Sequence, residues 1–124
     1  MSKILVVEDN DDTRELLHIY FTQAGFVVLD ARDGKEGLSI AKAEKPDLVI
    51  TDMAMPNVDG SEMIRRLRTE PEVAKTPIIV FTAHGSVTPE IVRRAGANKA
   101  FYKPFDFSDL VIVVREMLTN KAAA

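Results

Sequence analysis

The chain has 124 residues, of which 46% are hydrophobic and 28% charged, and its formal net charge is −3. This length fits a single domain over residues 1–124, and this composition excludes a disordered chain. The absence of cysteine excludes disulfides and thiolate chemistry, and the net negative charge excludes an overall basic surface for nucleic acid. Apolar runs are too short to span a bilayer and the N-terminus lacks the pattern of a secretion signal, so we expect a cytoplasmic protein without membrane insertion.

Short apolar runs alternate with segments whose apolar residues have helical spacing, which predicts five strands and five helices. In chain order we expect strand 4–7, helix 11–24, strand 26–31, helix 33–45, strand 48–51, helix 61–69, strand 77–81, helix 88–96, strand 100–102 and helix 106–118. This alternation predicts an α/β sandwich around a parallel sheet. Right-handed crossovers leave only a few doubly wound strand orders.

Capping residues mark the ends of two of these helices. Asp11 or Asp12 is expected to cap the first helix, and Gly25 stands where that helix ends. Thr88 is expected to cap the fourth helix, which Gly96 closes.

Several remaining residues are expected to have ordinary structural roles. Arg65, Arg66 and Arg68 are predicted to form a solvated helix face, and His18 to be a partly exposed surface residue. The segment from about residue 120 to 124 is predicted to be a disordered tail.

Polar and ionisable side chains stand at the carboxyl ends of four predicted strands. Glu8 and Asp9 follow the first strand, Asp52 follows the third, Thr82 the fourth and Lys103 the fifth. Ligands of open α/β sheets bind at this edge. In the flavodoxin-like strand order 2-1-3-4-5 these four strands are consecutive neighbours, so the five side chains would line one shallow cleft.

The chemistry of this cleft points to phosphoryl transfer. Charged carboxylates about 4 Å apart repel by roughly 4 kcal/mol at an effective dielectric of about 20, unless a proton or a cation intervenes. An all-oxygen ligand set suits Mg²⁺, and Lys103 adds a compact positive charge for an anion. Asp52 is the best candidate nucleophile because it ends the central strand, whereas Glu8 and Asp9 are better placed as metal ligands. A glycine-rich phosphate loop does not follow the first strand, which argues against ATP and flavin nucleotides.

With these features in order, the whole sequence resembles a response-regulator receiver domain of two-component signalling. Five separated motifs carry the resemblance: Glu8-Asp9, Thr51-Asp52-Met53-Ala54-Met55-Pro56, Asp59-Gly60, Thr82-Ala83 and Lys103-Pro104-Phe105. The resemblance implies a flavodoxin-like sheet in the order 2-1-3-4-5. It also implies that the chain is a binding module operated by phosphorylation and is not a metabolic enzyme.

The resemblance also implies a role for each site residue. Asp52 would be phosphorylated by a sensor histidine kinase or a phosphotransfer protein, Lys103 would pair with the phosphoryl group, and Thr82 would donate a hydrogen bond to it. Four oxygen ligands would hold Mg²⁺, which Mn²⁺ can replace: Glu8, Asp9, Asp52 and the backbone carbonyl of Ala54. The Lys103-Pro104 peptide bond is expected to be cis.

Phosphorylation would then change the affinity for a downstream target protein, and the resemblance is compatible with a phosphorylation-dependent dimer. Direct binding of nucleic acid is not expected. Two departures from the family pattern bear on this output. Ala100 stands where many receivers have a switch aromatic, with Phe101 and Tyr102 following it, and Ala54 and His84 stand where the family tunes the lifetime of the phosphorylated state.

Two other functional classes remain open at this point. A docking module with a receiver fold that works without phosphorylation is compatible with Ala100. An aspartyl-phosphate hydrolase would need a second acid two residues after its nucleophile, and Ala54 occupies that position.

Overall fold

Five parallel strands form one sheet at the centre of the protein. The structure is a computed structural model that describes residues 2–53, 59–82 and 87–123. The strands are β1 (Lys3–Val7), β2 (Val27–Ala31), β3 (Leu48–Asp52), β4 (Ile78–Thr82) and β5 (Lys99–Tyr102). They are arranged in the order β2-β1-β3-β4-β5, which confirms the predicted fold class and strand order.

Five helices connect the strands and cover the two faces of the sheet. They are α1 (Asp11–Gln23), α2 (Gly34–Glu44), α3 (Gly60–Thr69), α4 (Pro89–Ala95) and α5 (Phe107–Ala123). Every predicted strand and helix is present, and most of their ends lie within one or two residues of the predicted ones. Within the described residues, the helices include none with the length and hydropathy needed to cross a bilayer.

Alternate residues of each central strand belong to two separate hydrophobic cores. Ile4 and Val6 pack with α1 and α5 through Leu17, Phe21 and Leu110. Leu5 and Val7 face the opposite way, and the core on that side contains the following residues of α2, α3 and α4: Leu38, Ala41, Met63, Ile64, Leu67 and Val92. This alternation follows from the strand period of two and gives a three-layer sandwich.

Gly37 brings α2 close to the sheet. A Cβ atom at this position would lie 2.8 Å from the Sδ atom of Met63 and 3.0 Å from a methyl carbon of Val7. A glycine in a helix interior costs about 1 kcal/mol relative to alanine, and here it permits close packing of α2 on α3 and β1.

The capping of α1 and the end of α5 differ from the predictions. Asn10 caps α1, because its side chain accepts a hydrogen bond from the backbone N–H of Thr13, whereas Asp11 and Asp12 lie inside the first helical turn. There they carry negative charge at the positive end of the helix dipole. The fifth helix passes its predicted end and runs to Ala123, so the tail predicted from about residue 120 is helical that far. Alanine and lysine are strong helix formers, and neither glycine nor proline interrupts this segment.

Arg68 does not belong to the predicted solvated face of α3. Its guanidinium group is partly buried and donates to the backbone carbonyls of Ala74, Thr76 and Gly96, at 2.6 to 3.0 Å, and to Oδ1 of Asn98 at 3.1 Å. Arg68 lies one turn after Ile64, at the border of the buried face, so its side chain reaches segments that are distant in sequence. The prediction of a solvated Arg68 was therefore wrong.

Candidate functional site

The strand register places the predicted site residues along one edge of the sheet. Asp52 is paired with Phe81, and Thr82 with Tyr102. Glu8 continues from β1 and donates its backbone N–H to the carbonyl of Ala31 at 3.0 Å. Parallel strands present their carboxyl ends at the same edge, as expected from the sequence.

Three carboxylates converge at this edge. One oxygen from each of Glu8, Asp9 and Asp52 lies within 4.8 Å of the other two. Glu8 and Asp52 are buried, with 1% and 8% of their surface exposed, whereas Asp9 is exposed. The predicted convergence of these three acids is present in the structure.

The protonation of Glu8 reflects this crowding. Burial, and after it the negative charge of Asp52, raises the pKa of Glu8 from 4.5 to about 7. The ammonium group of Lys103 and the backbone N–H of Asn10 act in the opposite direction without restoring the ordinary value. Without a bound cation, burial and the neighbouring carboxylate therefore favour the protonated form of Glu8.

Lys103 supplies the positive charge of the site. Its Nζ atom lies 3.3 Å from Oδ2 of Asp52 and 4.0 Å from Oε2 of Glu8. The same ammonium group lies 4.9 Å from the centre of the Phe81 ring, in the range of a cation–π contact. The peptide bond between Lys103 and Pro104 is cis, as the resemblance implied.

Thr82 is the fifth predicted site residue that the structure describes. It is 2% exposed, and its backbone carbonyl accepts the N–H of Lys103 at 2.8 Å. This bond ties the end of β4 to the residue that follows β5. Two further residues singled out in the sequence, Ala54 and His84, lie outside the described residues.

The aromatic residues near Ala100 have different environments. Ala100 is half-buried and packs against the core formed with α2, α3 and α4. Phe101 packs on the other face of the sheet, with its ring 5.9 Å from that of Phe105, and Tyr102 is 36% exposed. The structure thus places a small side chain at the position expected for a switch aromatic.

Gly60 packs closely against the backbone of Asp52, and this contact was not predicted from the sequence. A Cβ atom at Gly60 would lie 2.1 Å from the backbone carbonyl oxygen of Asp52, and the Gly60 N–H donates to the carbonyl of Met53 at 2.9 Å. The start of α3 therefore packs directly on the backbone at the end of β3. The Asp59-Gly60 pair marked this loop in the sequence, but the contact itself depends on the tertiary structure.

The site has the properties required for a divalent cation. Among the described residues, Oε2 of Glu8 is a buried carboxylate oxygen without a hydrogen-bond partner, on a side chain beside Asp9 and Asp52. A buried polar atom without a partner is costly, and a cation with oxygen ligands would satisfy it. The three carboxylates therefore form a set of ligands that fits a hard divalent metal.

Comparison with known proteins agrees with this geometry. The family model described as the response regulator receiver domain matches residues 4–115. The receiver domain of the sensor histidine kinase PA1611 from Pseudomonas aeruginosa PAO1, solved with a magnesium ion coordinated in its active-site cleft, is similar in structure. Its TM-score is 0.88 at 26% identity, and the match covers 95% of this chain and 98% of that one.

Two curated relatives show how this chain compares in length. The transcriptional regulatory protein HprR of Escherichia coli strain K12 is 38% identical over 122 residues, which cover 98% of this chain but 53% of HprR. The chain spans about half the length of several such relatives. The sporulation initiation phosphotransferase F of Bacillus subtilis strain 168 is 34% identical over 121 residues, which cover 97% of this chain and 96% of that protein. By family model, sequence and fold, the chain belongs to the response regulator receiver domain family of two-component systems.

Proposed function

We propose that this chain is a phosphoacceptor response regulator that accepts a phosphoryl group on Asp52 in a Mg²⁺-dependent reaction. The observation that carries the proposal is the meeting of three carboxylates within 4.8 Å beside the ammonium group of Lys103. The Nζ atom of Lys103 lies 3.3 Å from Oδ2 of Asp52, so a positive charge stands beside the proposed acceptor carboxylate. Residues 1–124 would form one receiver domain in the cytoplasm.

Each residue of the site has a proposed part in the transfer. A carboxylate oxygen of Asp52 attacks the phosphorus of a phosphohistidine, the P–N bond breaks, and the leaving imidazole takes a proton from water. Lys103 neutralises charge on the transferred phosphoryl oxygens, and the hydroxyl of Thr82 donates a hydrogen bond to one of them. Glu8, Asp9, Asp52 and the Ala54 carbonyl would hold Mg²⁺, which supplies positive charge for the phosphoryl oxygens when bound.

The proposed donor is a sensor histidine kinase or a phosphotransfer protein, and the proposed output is a change in affinity for a downstream target protein. The homology to the phosphotransferase from Bacillus subtilis, which matches over nearly its full length, supports a role in phosphoryl transfer between proteins. Phosphorylation shifts the population between two conformers, and a dimer is a further outcome that this shift would control. The reaction on Asp52 is a modification of the protein itself, so we propose no turnover of a metabolite.

Intact mass spectrometry after incubation with acetyl phosphate tests the proposal. The wild-type protein should gain one phosphoryl group in Mg²⁺ and none in EDTA, and the Asp52→Asn variant should gain none in either buffer. An adduct on Asp52→Asn, or an adduct that forms equally in EDTA, would contradict the proposed chemistry. No adduct at all, together with no binding of beryllofluoride, would instead identify a docking module that works without phosphorylation.

A further inference from the structure

Arg14 is in the first turn of α1 and has no role in the function proposed above. Its Nη1 atom donates to the backbone carbonyl of Glu8 at 2.9 Å, and its Nη2 atom donates to Oδ1 of Asp11 at 2.5 Å. The Arg14 side chain is 16% exposed, whereas that of Asp11 is 82% exposed. Arg14 is thus a largely buried cation that joins the first turns of α1 to the end of β1.

We infer that Arg14 is a positioning residue for the proposed metal site: it orients the peptide between Glu8 and Asp9 so that both carboxylates face Asp52. This inference rests on the proposed function, since it concerns the same three acids. The carbonyl of Glu8 and the N–H of Asp9 belong to one planar peptide group. By its hydrogen bond to that carbonyl, Arg14 restricts rotation of this peptide group and so the direction in which the chain enters Asp9.

The polar atoms of Glu8 are held by three separate contacts. Its N–H donates to the carbonyl of Ala31 at 3.0 Å, its Oε1 atom accepts from the N–H of Asn10 at 3.1 Å, and its carbonyl accepts from Arg14. Only Oε2 remains without a hydrogen-bond partner among the described residues. These contacts leave one oxygen of Glu8 for the cluster, and the contact from Arg14 is to the peptide group that Glu8 shares with Asp9.

Asp9 depends on its backbone for its position. Within the described part of the chain, the structure records no hydrogen bond or ion pair from the Asp9 carboxylate, although one of its oxygens lies within 4.8 Å of those of Glu8 and Asp52. A side chain without such contacts is directed by its own backbone and by rotamer preference. Loss of the bond from Arg14 would therefore affect Asp9 more than the well-anchored Glu8.

A purely electrostatic role for Arg14 and a positioning role predict opposite changes in the affinity for Mg²⁺. A positive charge near a cation site disfavours the cation, so removal of Arg14 would strengthen Mg²⁺ binding if charge alone mattered. Positioning predicts weaker binding, because Asp9 loses its orientation. Loss of a residue that orients a ligand typically lowers metal affinity by about 10- to 100-fold, and we expect the lower end because Arg14 acts through a peptide group.

Isothermal titration with Mg²⁺ tests the inference on wild type, Arg14→Ala, Arg14→Lys and the control Arg94→Ala. Arg94→Ala removes the same charge as Arg14→Ala. Arg94 is exposed on α4, where its Nη2 atom lies 2.9 Å from Oε1 of Glu90. We expect the Kd for Mg²⁺ to rise about tenfold in Arg14→Ala and to rise less in Arg14→Lys, which keeps the charge but loses the planar fork. Arg94→Ala should bind Mg²⁺ like wild type.

Urea unfolding in EDTA shows whether a variant is folded, and so separates a weaker Mg²⁺ affinity from a loss of folding. If Arg14→Ala is unfolded, Arg14→Lys provides the test. Tighter Mg²⁺ binding by Arg14→Ala, or a Kd equal to that of Arg94→Ala, would overturn the inference while leaving the proposed function intact. Failure of the wild-type protein to bind Mg²⁺ would overturn the proposed function and the inference together.

Discussion

At the scale of single residues, Glu8 links the chemistry of the site to the stability of the fold. It is buried at the end of β1, and burial together with the charge of Asp52 raises its pKa to about 7. In the unfolded chain, the pKa of Glu8 has its ordinary value of 4.5. Between these two values the folded protein binds more protons than the unfolded one, so ionisation of Glu8 opposes folding.

We therefore predict that, in EDTA, the contribution of Glu8 to the free energy of unfolding falls as the pH rises from about 4.5 to 7. The full loss is on the order of 3 kcal/mol, because the pKa of Glu8 rises by about 2.5 and each pKa unit corresponds to about 1.36 kcal/mol. Urea unfolding at pH 4.5, 6 and 8 measures it, and the variant Glu8→Gln provides the reference because it cannot ionise. A difference between wild type and Glu8→Gln that stays constant with pH would show that Glu8 titrates normally.

At the scale of secondary-structure elements, Arg68 joins the end of α3 to two loops on the side of the sheet opposite the site. Its guanidinium group donates to carbonyls after α3 and at the end of α4, and to the side chain of Asn98, which in turn accepts the N–H of Ile78 at the start of β4. Burial lowers the pKa of Arg68, but an arginine stays charged at neutral pH. Most of the acceptors for the charged guanidinium group of Arg68 are backbone carbonyls.

Substitution of Arg68 by alanine should lower the free energy of unfolding by about 3 kcal/mol. The physical reason is that several partly buried oxygens lose a charged donor at once. Arg65→Ala, on the exposed side of the same helix, should cost about 0.5 kcal/mol or less. Urea denaturation of both variants checks this, and similar losses in the two would mean that the carbonyl network contributes little.

The features that could be predicted from sequence are those in which a local pattern determines the outcome. Alternating apolar runs gave the order of the elements, and the polar residues after each strand gave the acidic cluster with Lys103, because parallel strands place these residues at one edge. The bonds from Arg14 and Arg68 to backbone carbonyls could not be predicted, since a backbone carbonyl has no residue-type signal. Asn10 was missed as the cap of α1 because its two acidic neighbours Asp11 and Asp12 offered equally good capping side chains.

At the scale of the whole molecule, ligand binding at one edge should stabilise the entire domain. A ligand that binds only the folded state adds RT ln(1 + [L]/Kd), which is about 1.4 kcal/mol at a free concentration ten times the Kd. We predict that Mg²⁺ at this concentration raises the Tm of the wild-type protein by several degrees. Melting curves in KCl of equal ionic strength provide the control, and an equal rise in KCl would assign the effect to screening of the acidic residues.

The contact between Gly60 and the backbone of Asp52 limits how this domain can be redesigned. Every other amino acid adds a Cβ atom, which would overlap the Asp52 carbonyl oxygen at 2.1 Å. A sequence library for α3 should therefore keep position 60 fixed, whereas Ser61 is exposed and open to variation. Because position 60 must lack a side chain, Ser61 is the first residue of α3 that can be changed without displacing the backbone at the end of β3.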